Sequence, residues 1–266
     1  GKHFNAPIHQ LMGGPLRTEV RAYATGTYRT RQGDPMDYIC EEVAGYVEEG
    51  FSAVKLKIGF EVSEDVALIR AVRDTIGPDT GLMLDANHGY DTVDAIKLGQ
   101  QVEELDIGWF EEPVAPEDLD GYCAIKAAIN IPLAGGECEY TRFGFREILR
   151  RRAIDYLQPD TAAAGGLSEC KKIADMANAF GVRYVPHVWG SGIGLAAALQ
   201  LLAVLPHNPP GRRPWEHLLE FDRSEHPFRQ AIMKKPIEHA NGVVTIPDGP
   251  GLGIEIDRDA LESFKN

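Results

Sequence analysis

The chain has 266 residues, 44% of them apolar and 25% charged, enough for one large domain with a full core; this excludes a disordered chain. Its formal charge of −13 would repel a phosphate backbone, so nucleic acid is not an expected partner. Cys40, Cys123, Cys138 and Cys170 are scattered with no CxxC pair, which suits reduced thiols in a cytoplasmic protein better than a disulfide framework.

In chain order, residues 1–20 open in mid-element and read as a linker. The first strand is predicted over 22–28. Gly50 marks a helix C-cap. A second strand over 53–58 then carries Lys55 and Lys57, whose spacing of two puts both ammonium groups on one face. Two lysines facing into a core require carboxylates or a substrate anion opposite them. The stretch 65–76 sets Val66, Ile69, Val72 and Ile76 on one helical stripe and stops at Gly77. The third strand, 81–86, carries Asp85, with Asn87 on the same face. A helix over 94–105 leads to the fourth strand, 109–113, which carries Glu111; Glu112 follows directly, so strand alternation turns it the other way.

The fifth strand, 132–137, ends in Glu137, and the sixth, 156–160, ends in Asp160. A helix over 167–180 runs to Gly181, and the seventh strand, 183–188, carries His187. The glycine-rich residues 190–194 read as a barrel turn rather than an anion site. The apolar run 193–205, interrupted by Gln200, is shorter than the ~20 residues of a membrane span and predicts a buried helix face. No membrane partner is expected. The eighth strand, 217–221, carries Glu220. A Pro/Gly-rich stretch, 241–253, lies outside this rhythm.

Short apolar strands alternating with amphipathic helices argue for βαβ units and a parallel sheet. Eight of them favour a closed α/β barrel. An open doubly wound sheet is the alternative, but no dinucleotide fingerprint follows the first strand. The expected layout is a linker over 1–20, a catalytic barrel over 21–222 and a C-terminal segment over 223–266.

Catalytic groups of such barrels sit at the C-terminal strand ends. Each residue named above, taken alone, reads as a helix cap, a surface charge or a satisfied polar group. Seven consecutive strands delivering an ionisable group to one rim are harder to explain that way. Three carboxylates from adjacent strands, Asp85, Glu111 and Glu137, need a cation to coexist in a low-dielectric pocket. All-oxygen ligation suits Mg²⁺, while zinc is disfavoured because no Cys/His cluster or HxH spacing is present. Asn87 and Glu112 are expected behind these ligands or against substrate. Lys57 is a candidate base if neighbouring cations depress its pKa, with Lys55 supplying that charge and polarising a substrate carboxylate. His187, oriented by Asp160, is the second candidate. Glu220 either hydrogen-bonds a developing enolate while protonated or pairs with a lysine.

The motifs Lys55-Leu-Lys57, Asp85-Ala-Asn87, Glu111-Glu112-Pro113, Gly136-Glu137, Gln158-Pro159-Asp160 and Pro186-His187, at successive ligand spacings of 26, 26, 23 and 27 from Asp85 to His187, resemble the enolase superfamily in its mandelate racemase branch. The resemblance runs over essentially the whole chain. It implies a (β/α)7β barrel with Asp85, Glu111 and Glu137 as Mg²⁺ ligands. Lys57 would be one base, His187 and Asp160 a dyad, and Glu220 a group assisting the enolate. Residues 208–214 (NPPGRRP) leave the match at Glu220 loose, and residues 136–142 (GECEYTR) depart from the pattern.

Family members carry an N-terminal α+β capping domain, not seen in this sequence, on which 223–266 would pack. They are often homo-oligomers. The implied reaction is removal of the proton α to a carboxylate of a small-molecule sugar acid or its lactone. Ring opening, dehydration and epimerisation all remain open, and a catalytically idle barrel is the alternative of another class.

Overall fold

A computed structural model describes residues 1–29, 33–207 and 215–265. Eight parallel strands build the frame: β1 (Glu19–Thr25), β2 (Ala53–Lys57), β3 (Gly81–Asp85), β4 (Ile107–Glu111), β5 (Leu133–Gly135), β6 (Tyr156–Leu157), β7 (Arg183–Tyr184) and β8 (Leu218–Asp222). They pair in sequence order from β1 to β7, and β8 returns to pair parallel with β1, from Arg21↔Leu218 to Thr25↔Asp222. That return contact curls the sheet into a barrel and sets aside the open-sheet alternative. All eight expected strands are present. Those of the fifth to seventh are shorter than expected, because the chain leaves the ladder just before its functional residues.

Helices alternate with the strands: α1 (Ile8–Leu11), α2 (Pro35–Glu48), α3 (Val62–Ile76), α4 (Thr92–Val102), α5 (Leu119–Ala128), α6 (Thr141–Arg151), α7 (Leu167–Phe180), α8 (Gly192–Val204), α9 (Pro227–Ala231) and α10 (Arg258–Ser263). In α3, Val62, Val66, Ile69, Val72 and Ile76 are buried against the sheet, Glu61 caps the start by accepting from the Ser63 and Glu64 N–H groups, and Gly77 at φ +74° ends it. The apolar run 193–205 falls in α8 and its C-cap and is largely buried, as expected, with Ile193 at its start exposed. Its one polar break is satisfied: Gln200 accepts from the His9 N–H at 2.9 Å and donates to the Pro247 carbonyl at 2.7 Å. Among the described residues no helix is long and apolar enough to cross a membrane.

β10 (Val243–Thr245) pairs antiparallel with the start of β1, and β9 (His239–Ala240) continues that edge. Residues 208–214, where the family match is loose, lie outside the described residues.

The interior of the barrel positions the chemistry. Tyr23, Ala53, Met83, Trp109, Ala134, Tyr156 and Val185, one from each of the first seven strands or its end, form an apolar layer joined by Leu218 of β8. The Trp109 ring meets Tyr23 edge-on at 5.3 Å and Tyr156 at 5.0 Å. Strand side chains alternate with period two, so the next inward residue lies two positions on. Those residues are Thr25, Lys55, Asp85, Glu111, Gly136, Gln158, His187 and Glu220. The apolar layer is the floor, and this polar layer stands directly on it.

Candidate active site

Lys55 is the centre of the polar layer. Its side chain is 1% exposed, and its Nζ lies 2.6 Å from Glu111 Oε1, 2.7 Å from Glu220 Oε1 and 3.3 Å from Asp85 Oδ2. Burial works against the ammonium, yet Glu111, Glu220, Tyr23 and Asp85 together raise its pKa well above the ordinary value. Lys57, one step nearer the mouth, donates to Asp85 Oδ2 at 2.6 Å. Burial alone would raise the Asp85 carboxyl, but Lys55 and Lys57 overcome it and hold the pKa at about 2.

Glu111 accepts from three sides: Lys55 Nζ, Trp109 Nε1 at 3.0 Å and Gln158 Nε2 at 2.7 Å. Burial still dominates, opposed by Lys55 and reinforced by Asp85, Glu220 and Glu137, so its pKa is pushed up to about 7. Glu137 is raised too, by burial first. Across the mouth, His187 Nδ1 lies 2.8 Å from Asp160 Oδ2, and its Nε2 lies 3.6 Å from Glu137 Oε2. The Ala162 and Ala163 N–H groups donate to Asp160 Oδ1 at 2.7 and 3.1 Å and fix the carboxylate that orients the ring. Burial opposes the imidazolium, but the Asp160 hydrogen bond, Glu220 and Glu137 raise His187 to about 9.

This geometry bears on two expectations. Lys57 is not depressed towards neutrality; although burial and Lys55 push it down, Asp85 holds it as a cation above the usual lysine value. Glu220 is not held protonated: burial would raise it, but Lys55 and His187 lower it, and it accepts from the Val188 N–H at 2.9 Å. Its ion pair with Lys55 was the alternative role.

Asn87 donates its backbone N–H to Asp85 Oδ1 at 2.9 Å, while its side chain turns to Glu112 Oε2 at 3.4 Å. Glu112 is buried and faces away from Lys55, towards His88. Sequence reasoning passed over Trp109 and Gln158 as partners of Glu111. The signal for them was the offset of two along β4 and the equivalent inward position on the sixth strand.

It also passed over a third group. Linear spacing shows no Cys/His cluster, yet His88, Glu112 and Cys138 bring one ligand atom each within 4.8 Å of one another. They lie on the loops after β3, β4 and β5, so linear spacing hides their meeting. Burial, then Glu112 and Glu137, pushes the Cys138 thiol up to about 11.

The donor chemistry of Asp85, Glu111 and Glu137 fits a hard divalent cation. They are carboxylates only, and burial first, then their neighbouring carboxylates, raises Glu111 and Glu137, a cost that a bound cation would relieve. Their oxygens here face those three side chains rather than one common point.

Comparison with known proteins places the chain in a family. The family model described as enolase C-terminal domain-like matches residues 39–260. The chain is 52% identical over 265 residues to D-galactarolactone cycloisomerase of Agrobacterium fabrum, covering 100% of this chain and 70% of that protein. It is 37% identical to arabinonate dehydratase of Saccharolobus solfataricus, covering 100% of this chain and 68% of that one. The crystal structure of 3,6-anhydro-D-galactonate cycloisomerase from Zobellia galactanivorans superposes with a TM-score of 0.91 at 40% identity, covering 100% of this chain and 71% of that one.

Proposed function

We propose a reaction for this protein from one premise: the chain belongs to the enolase superfamily, in its mandelate racemase branch, and is an enzyme of that superfamily. The reaction is removal of the proton α to a carboxylate of a sugar acid or its lactone, followed by loss of the β-oxygen. The favoured form is opening of galactarolactone to a 2-keto-3-deoxy diacid. The observation that carries this reading is the placement of two proton-handling groups, Lys57 and His187, at the two ends of one buried carboxylate cluster. The 52% identity to a galactarolactone cycloisomerase supports the lactone form.

Asp85, Glu111 and Glu137 would hold Mg²⁺, which supplies positive charge where negative charge grows on the substrate carboxylate. Lys55 adds a fixed positive charge beneath the substrate and keeps Glu220 ionised. Lys57 acts as base once Asp85 no longer holds its proton, because burial and Lys55 both disfavour its charge. His187, kept as imidazolium by Asp160, gives its Nε2 proton to the departing β-oxygen. Trp109 and Gln158 keep Glu111 from turning away. Residues 21–222 form the catalytic unit in this reading, with 223–266 as a segment packed outside it.

An NMR assay in D₂O with Mg²⁺ tests the proposal, using D-galactaro-1,4-lactone beside galactarate and a few aldonates. Lactone consumption with deuterium entering the α-carbon, abolished by EDTA, Lys57→Ala and His187→Ala, is the expected result. Turnover of open-chain acids alone would make the protein a dehydratase, as several relatives are named. No turnover or exchange on any of them would favour an idle barrel.

A further inference from the structure

Three side chains outside the Lys55-centred cluster meet in a way that the proposed reaction does not use. His88 follows β3, Glu112 directly follows β4, and Cys138 directly follows Glu137 beyond β5. Their ligand atoms all lie within 4.8 Å of one another. His88 Nδ1 is 3.0 Å from Glu112 Oε2. The Glu112 side chain has no solvent exposure, and the Cys138 thiol hydrogen-bonds to the same carboxylate that His88 meets. A buried carboxylate held only by an amide, an imidazole and a thiol is costly to keep charged, and a cation is the chemistry that would satisfy it.

The backbone holds this group in place. His88 and Glu112 both sit at positive φ, +55° and +41°, a conformation costly for residues with a Cβ. The His88 N–H donates to the Glu112 carbonyl at 2.7 Å and ties the two loops together. His88 and Cys138 are exposed, so an ion can reach them from solvent.

We propose that His88, Glu112 and Cys138 form a second cation site, of zinc type, separate from the carboxylates of Asp85, Glu111 and Glu137. One imidazole nitrogen, one thiolate sulfur and one carboxylate oxygen suit borderline-soft Zn²⁺ and not Mg²⁺. Tetrahedral bonds of about 2.0–2.3 Å put ligand atoms roughly 3.3–3.8 Å apart, so atoms now up to 4.8 Å apart must close by about 1 Å. Three protein ligands leave a fourth position open to water. Binding converts the Cys138 S–H to a metal thiolate and releases its proton to solvent.

The site also has a structural consequence. Glu112 and Cys138 are the chain neighbours of Glu111 and Glu137, and His88 lies three residues after Asp85. One ion would therefore clamp the three strand ends that carry the inner carboxylates.

Cobalt titration of the purified protein with Mg²⁺ in excess tests the site, independently of any turnover. Co²⁺ bound to a thiolate gives a sulfur-to-metal charge-transfer band, which a carboxylate site cannot give. The expected result is such a band saturating at one equivalent and displaced by Zn²⁺. It should be retained in Cys40→Ser and lost in Cys138→Ser, whose exposed position makes misfolding easy to exclude by circular dichroism. His88→Gln should weaken Zn²⁺ binding at least tenfold. No band in the wild type, or a band that survives Cys138→Ser, overturns the proposal.

Discussion

Replacing Asp160 by Asn removes the charge that orients His187 but keeps the shape of the pair. His187 stands at about 9 against an ordinary 6.5, although burial pushes the other way and its side chain is only 17% exposed. That rise corresponds to about 3 kcal/mol of preference for the imidazolium. The Asp160 hydrogen bond is the largest contribution on the raising side, ahead of Glu220 and Glu137. In the variant, burial remains and its main opponent is gone, so His187 should titrate near or below 6.5.

Imidazole NMR titration of EDTA-treated protein reads this directly. The stability linkage has a definite sign. His187, raised on folding, contributes stability fully below 6.5 and loses it as pH rises through about 9. Asp160, lowered on folding, contributes above its ordinary 3.8 and loses that contribution as pH falls. The wild type should therefore exceed Asp160→Asn in stability by most between these two ordinary values, and the two should converge above about 9. Loss of the acid should lower kcat/KM by about 10²-fold or more. A His187 that still titrates near 9 in the variant, or one that titrates at 6.5 in the wild type, refutes the reasoning.

Three further outcomes are expected. Lys55→Met leaves Asp85, Glu111 and Glu220 buried without their shared cation, and urea unfolding at pH 8 should show a loss of about 3–5 kcal/mol. Glu111, raised to about 7, binds a proton more readily folded than unfolded, so metal-free stability should fall as pH rises from 4.5 to about 7. Mg²⁺ should consequently raise Tm more at pH 8 than at pH 5.5, as thermal melts can show. Gly59 sits at φ +99°, and a Cβ there would lie 2.4 Å from the Ala86 carbonyl oxygen. Gly59→Ala should cost about 2–4 kcal/mol by denaturant unfolding and loosen the β2 and β3 loop ends that carry Lys57 and Asp85.

The barrel was legible in the sequence because its signal is local. Strand periodicity placed Lys55 and Lys57 on one face and Glu111 and Glu112 on opposite faces, and both relations hold in the structure. The same period, read from Trp109 to Glu111 and from Tyr156 to Gln158, encodes the polar layer two residues above the apolar floor. Local signal ended where charge state and inter-loop distance began. Whether Lys57 is neutral or Glu220 protonated depends on which carboxylates surround each nitrogen, and only the closed barrel sets the 2.6 Å from Lys57 to Asp85 and the 2.7 Å from Lys55 to Glu220. The meeting of His88, Glu112 and Cys138 was equally hidden, because three loops far apart in sequence become neighbours only when β3, β4 and β5 lie side by side. Residue type and period are properties of a short stretch of chain, whereas Coulomb energy and coordination depend on separations through space, which folding alone decides.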